Sequence, residues 1–233
     1  APADDIIIRV EEPLMFESYD KVIVSILAKK VAASSNLLIL DIPVGPTMKI
    51  KYVKDAVAFA ARFSKLAQRF SIEVKTEVNF QYQPSGNGIG PALETYDALR
   101  VLEQKKDRPQ GLEDKAIKLA SRLLDMCFAK DNKTADGLLV AEELLRTGKA
   151  YKKFCEIVVA QGGMPEPSSE TIPRAPFGKV VQSLATGVIQ SIDNYHVSSI
   201  AKILGAPVDK YAGLILHKRF NEKVSKNDIL VEL

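Results

Sequence analysis

Tryptophan is absent, and cysteine and histidine occur twice each, as Cys127 and Cys155 and as His196 and His217. Two separated, unaccompanied thiols exclude a disulfide framework and read as structural cysteines of a reducing compartment. No Cys/His cluster has metal-ligand spacing, which leaves no zinc centre to expect. His217 sits in an apolar run and reads as structural. No apolar stretch reaches the 18 residues of a membrane-spanning helix, and no secretory leader pattern is present. Charge of one sign is also missing. The net charge is +3 and no long basic tract occurs, which argues against a nucleic-acid or membrane partner. A cytoplasmic protein is the expectation. The opening, Ala1–Asp5, carries no initiator Met and runs almost at once into Ile6-Ile7-Ile8, as if cut from a longer protein.

What is present is the material of a globular domain: 46% hydrophobic and 26% charged residues over 233 positions. Ile6–Val10 is a short β-branched run that predicts a buried strand, interrupted by Arg9. A loop, Glu11–Tyr19, contains Pro13. Asp20 is a candidate N-cap, followed at helical spacing by Val22, Ile23, Ile26, Leu27 and Val31. Leu37–Leu40 reads as a second buried strand, leading into Asp41–Lys49. Strand, crossover helix and strand make a βαβ unit with parallel strands. A longer helix, about Val53 to Phe70, carries an expected stripe of Val57, Ala60, Ala61, Leu66, Ala67 and Phe70. Ile72 to Phe80 alternates as a strand. Gln83–Pro91 is a glycine-rich loop, after which helices are expected to Leu102 and over 112–128, 134–146 and 149–160.

The expected class is α/β: part of a mixed or parallel sheet domain flanked by helices, followed by a small α+β C-terminal domain. The expected divisions are an α/β domain over 1–161, a Pro- and Gly-rich linker over 162–176, and the small domain over 177–233.

Ser25 and Lys29 lie four apart, on one face of the first helix. A hydroxyl and an ammonium presented together suit a ligand edge with a carbonyl and an N–H, such as a nucleobase. Arg9 and the segment Asp41–Lys49 sit at expected strand ends, where open α/β sheets bind ligands. The plain alternatives are cations favoured at a helix C-terminal turn for Lys29 and Lys30, a salt bridge to Glu11 or Asp5 for Arg9, a solvent lysine for Lys49, and an ordinary loop for Gly86–Gly90.

Five segments in order carry a resemblance: Ala3-Asp-Asp-Ile-Ile-Ile-Arg9-Val-Glu11; Ser25-Ile-Leu-Ala-Lys29-Lys30; Asp41-Ile-Pro-Val-Gly45-Pro-Thr-x-Lys49; Gln83-Pro-x-Gly86-x-Gly-Ile-Gly90-Pro-Ala-Leu-Glu94; and Gly148-Lys-Ala-x-x-Lys-Phe154 with Ala160-Gln-Gly-Gly163. Together they resemble the thymidine phosphorylase family, in the longer branch close to the archaeal AMP phosphorylases, and specifically its C-terminal part. The resemblance implies a pentosyltransferase of pyrimidine salvage that converts thymidine and phosphate to thymine and 2-deoxyribose 1-phosphate. AMP phosphorolysis, to adenine and ribose 1,5-bisphosphate, is the alternative, and a non-catalytic nucleoside-binding relative is the next. It further implies base binding by Ser25 and Lys29 with Arg9 assisting, a ligand contact from Lys49, and a proton donor at Glu17, where the AMP branch has Asp. Inorganic phosphate is the co-substrate, no cofactor or metal is implied, and the full-length enzyme is expected to be a homodimer. The family's phosphate-binding glycine-rich loop is not among these residues, so the chain alone is expected to be inactive. The stretch Gly213–Leu230 resembles part of a lipoyl-type sandwich but lacks an attachment lysine motif, and is read as structural.

Overall fold

The computed structural model describes residues 6, 7, 9, 10 and 18–233. Ile6, Ile7, Arg9 and Val10 are helical and exposed (Ile6 63%, Val10 61%), so the expected first strand is not formed. A short apolar run has no periodicity that separates strand from helix, and among the described residues no strand pairs with it. The βαβ unit lies one step later in the chain.

That unit consists of β1 (Leu37–Val44), α2 (Val53–Gln68) and β2 (Glu73–Phe80), preceded by α1 (Tyr19–Ala32). β1 and β2 form a two-stranded sheet. The Glu73 N–H donates to the Asn36 carbonyl at 2.9 Å beside the two strand starts, and Asn79 Nδ2 donates to Asp41 Oδ1 at 2.8 Å farther along, so the strands run parallel. The alternate residues Leu40, Ile42 and Val44 point into one core with Ile23 and Leu27 of α1. The buried stripe of α2 is Ala56, Phe59, Ala60, Phe63 and Ala67. It is rotated from the expected one: Ala60 and Ala67 are inside, while Val57 (57%) and Phe70 (50%) are exposed. Positions 56, 59, 60, 63 and 67 keep the i, i+3, i+4, i+7 spacing, and the larger rings of Phe59 and Phe63 decide which stripe is buried. Asp20 is not the N-cap. It lies in the first turn of α1 and pairs with Arg62 at 2.5 Å.

Residues 1–44 with 50–79 form one compact unit, and 45–49 with 80–233 the other. This division differs from the one expected at 161 and 177. Its reason lies in the second unit, where the glycine-rich loop supplies β3 (Gly88–Ile89), which pairs antiparallel with β6 (Leu214–Leu216). The sheet continues through β8 (Ile229–Glu232) to β4 (Val180–Gln182), in the order β3-β6-β8-β4. A second pair joins β5 (Gly187–Val188) to β7 (Lys223–Val224). β4 and β5, successive in the chain, belong to different sheets. Helices α3 (Pro91–Leu102), α4 (Gln110–Lys130), α5 (Gly137–Arg146), α6 (Lys149–Ala160) and α7 (Asn194–Leu204) complete the unit. Ala201, Ala206, Leu214 and Leu216 form its C-terminal core, with Ile89, Val197 and Val231 against them.

The stretch expected to be a linker is docked. Ser169 is buried (2% exposed), and its N–H and hydroxyl donate to the Glu103 carboxylate at 2.9 and 2.5 Å. The Tyr151 hydroxyl donates to the Pro167 carbonyl at 3.1 Å. A proline-rich composition forbids regular ladders but not side-chain-to-backbone anchoring.

Phe63, fully buried in the first core, gives a direct test of that unit. Phe63→Ala is expected to lower unfolding free energy by about 3–5 kcal/mol, read by chemical denaturation. The Arg108 guanidinium, hydrogen-bonded to Glu113, holds that buried carboxyl below its usual range, aided by Gln104 and Gln110. A lowered folded value means the stabilisation is present above the ordinary value of 4.5 and is lost as pH falls through the lower folded one. Glu113→Gln is expected to flatten that acid limb of the stability profile.

Candidate functional site

Helix α1 carries the two residues that a base-binding face requires. Ser18 precedes it in extended geometry, Asp20 lies in its first turn, and Lys29 and Lys30 lie in its last, an arrangement matched to the helix dipole. Ile23 and Leu27 anchor one side in the core, and Ser25 and Lys29, each two residues and so roughly 200° farther round the helix, lie on the opposite side. Lys29 Nζ donates to Ser25 Oγ at 3.2 Å. An ammonium and a hydroxyl together on one helix face are groups that can donate to an acceptor-bearing ligand edge.

The remaining expected residues are distributed as follows. Arg9 is on the exposed helical stretch before α1, not at a strand end. Glu17 lies outside the described residues. Lys49 is exposed, in the segment Gly45–Lys49 that belongs to the second unit. Within this segment the Met48 N–H donates to the Gly45 carbonyl at 3.1 Å, closing a turn. Gly45 is required there, because a Cβ would lie 2.6 Å from the Gln81 carbonyl oxygen. Asn194 Nδ2 then meets Thr47 Oγ1 at 3.1 Å.

The glycine-rich loop is a clamped structural turn. Asp97, 5% exposed, accepts the N–H groups of Asn87 (2.6 Å) and Gly88 (2.7 Å). Arg219 donates to the Gly86 carbonyl at 2.8 Å, to the Pro84 carbonyl and to Asn87 Oδ1 at 3.3 Å. Burial pushes the Asp97 carboxyl up, while the two N–H donors and Arg219 pull it back. A Cβ on Gly88 would come 2.7 Å from Leu93 Cβ and from the Leu93 carbonyl oxygen. The backbone N–H groups a phosphate would need at residues 87 and 88 are thus already taken by Asp97.

A cleft of about 730 Å³ opens elsewhere in the second unit, with Arg174, Phe177, Lys179, Tyr211, Glu232 and Leu233 among its walls. None of the expected site residues lines it. Among the described residues, no group of three His, Cys, Asp or Glu side chains is placed to hold a metal ion, and no helix is long and apolar enough to cross a membrane. Sequence reasoning missed Asn194, Asp97 and Arg219. The partners of Asn194 and Arg219 are more than 130 positions away, a separation that no local pattern reports.

No protein-family model matches the chain. The chain is 41% identical over 230 residues to an AMP phosphorylase of Methanocaldococcus jannaschii, covering 99% of this chain and 45% of that protein. It is 42% identical over 231 residues to an AMP phosphorylase of Thermofilum pendens, covering 99% and 43%. It is 36% identical over 233 residues to "Putative thymidine phosphorylase 1" of Acidovorax sp., covering 100% and 44%. The chain therefore spans less than half the length of these relatives.

Replacing Arg219 by Leu leaves the Asp97 carboxylate buried without its counter-charge. The expected loss is roughly 3 kcal/mol at neutral pH. It should shrink as the pH falls and Asp97 takes up a proton, because a raised folded value favours the native state most when the group is protonated. Urea melts of Arg219→Leu and its parent at several pH values check both the size and the sign.

Proposed function

We propose that this chain, a homologue along its whole length of AMP and thymidine phosphorylases, is the base-side part of a nucleoside or nucleotide phosphorylase. The observation that carries the reading is the Ser25–Lys29 pair, hydrogen-bonded at 3.2 Å on one side of a core-anchored helix. In phosphorolysis a phosphate oxygen bonds to C1′ of the sugar while the C1′–N bond to the base breaks. The electron pair stays with the base, which then takes a proton. Negative charge grows on the base in the transition state, so a fixed ammonium and a hydroxyl aimed at it stabilise that state more than the substrate. Arg9 assists at the base, Glu17 supplies the proton and Lys49 contacts the ligand. Inorganic phosphate is the co-substrate, held by residues outside this chain, and the whole enzyme works as a homodimer.

Between substrates, AMP phosphorylases at 36–42% identity overlap putative thymidine phosphorylases at 36–38%, and the upper part of the first range inclines the reading to AMP, with adenine and ribose 1,5-bisphosphate as products. Thymidine is the second reading, supported by the variant segment Pro43-Val-Gly-Pro-Thr47, which leans toward the bacterial branch.

The test is a panel of AMP, thymidine and uridine, each with phosphate, on the full-length protein. Adenine release from AMP is expected. Thymine release without adenine would transfer the assignment to thymidine, and no base release from any of the three would remove the phosphorylase reading. Lys29→Ala and Ser25→Ala in the active protein are each expected to cost about 2.7–4 kcal/mol in kcat/KM, roughly a hundred- to thousandfold. A change below threefold in both would take the pair out of the base site.

A further inference from the structure

We propose that Asn194 is a positioning residue that acts through Thr47 to hold the loop presenting Lys49; the inference rests on the reading of Lys49 as a ligand contact. Asn194 is the first residue of α7, one past the N-cap position from which a side chain ordinarily closes the helix N-terminus. Here Asp193 performs that task, accepting the N–H groups of Tyr195 at 2.9 Å and His196 at 3.2 Å. The amide of Asn194 is turned instead to Thr47 Oγ1 at 3.1 Å, across 147 positions of sequence. A threonine hydroxyl both donates and accepts, so the bond forms with either orientation of the amide.

The segment 45–49 is held at both ends: Ile50, directly after Lys49, is buried and bridges to Val44, and its beginning is fixed by two backbone contacts. The Gly45 backbone packs against the Gln81 carbonyl oxygen, and the turn bond from Met48 N–H to Gly45 O closes over Pro46 and Thr47. Asn194 fixes the apex of that turn from outside, two residues before Lys49. Lysine has a flexible four-carbon stem, and ordering its backbone before the ligand arrives lowers the entropy cost of the contact. Losing the tether therefore weakens binding without altering the reacting groups. Its signature is a higher KM with little change in kcat.

The experiment uses the full-length enzyme with Asn194→Ala, Thr47→Val and Thr47→Ser. Asn194→Ala and Thr47→Val are each expected to raise KM for AMP about three- to tenfold, the range of one lost hydrogen bond, with kcat within twofold. Thr47→Ser, which keeps the hydroxyl, should stay near the parent. The double variant should be no worse than either single one, and Asn194→Ala should add nothing in a Lys49→Ala background. An unchanged KM in Asn194→Ala, or a full additive loss on top of Lys49→Ala, overturns the proposal. A substrate-free readout separates this from the enzyme assignment: trypsin cleavage after Lys49, followed by mass spectrometry. It should be faster in Asn194→Ala and Thr47→Val and parental in Thr47→Ser. If the parent turns over no substrate the phosphorylase reading fails, while an unchanged cleavage rate in the variants independently removes Asn194 from its role.

Discussion

A single buried carboxylate organises the larger unit of this protein. Asp97 holds the N–H groups of Asn87 and Gly88, and the same two-residue strand, Gly88–Ile89, joins the sheet whose other strands come from the last quarter of the chain. Arg219 closes the loop from the other side through backbone carbonyls and compensates the charge. Burying a charge is costly unless its partners are fixed. The arrangement is economical in that respect: the hydrogen bonds that satisfy Asp97 are the ones that shape the glycine-rich turn. This is also why the turn resembles a phosphate loop in composition yet is occupied by protein groups.

The smaller unit applies a different rule. A parallel strand pair is connected by a helix, and Leu40, Ile42 and Val44 alternate into a core built on Phe59 and Phe63. Helix α1 is fastened to that core by Ile23 and Leu27 alone among its fully buried residues. Val22 and Ile26 pack against the same core, Asp20 pairs with Arg62, and Ser25 and Lys29 meet on the side away from the buried pair. The site reading thus follows from a division of labour around the helix, with apolar residues placing it and polar residues presenting ligand contacts.

Legibility varied with the range of the interaction. The Ser25–Lys29 pair was legible because a helix makes neighbours of residues four apart. Helix α6 was read at its observed bounds, Lys149–Ala160, between glycines and a periodic apolar face. Ile6–Val10 misled, because a short β-branched run is equally compatible with a helix when no partner strand reaches it. The stripe on α2 shared Ala60 and Ala67 with the expected one but otherwise differed, because several small and large apolar residues competed for the inside and ring size settled it. Proline content suggested a free linker over 162–176, but Glu103 anchors Ser169 there.

The sequence by itself determined the class of the fold, most of the helices, the ordered motifs and the helix face that carries Ser25 and Lys29. These all follow from local periodicity and from backbone restrictions at Pro and Gly. Tertiary structure alone decided that a piece of the glycine-rich loop is a strand of the C-terminal sheet, that Asp97 and Arg219 clamp it, and that Asn194 reaches Thr47. Those contacts join residues up to 147 positions apart, and their stabilisation depends on burial and on exact donor geometry, which exist only once the chain has closed on itself.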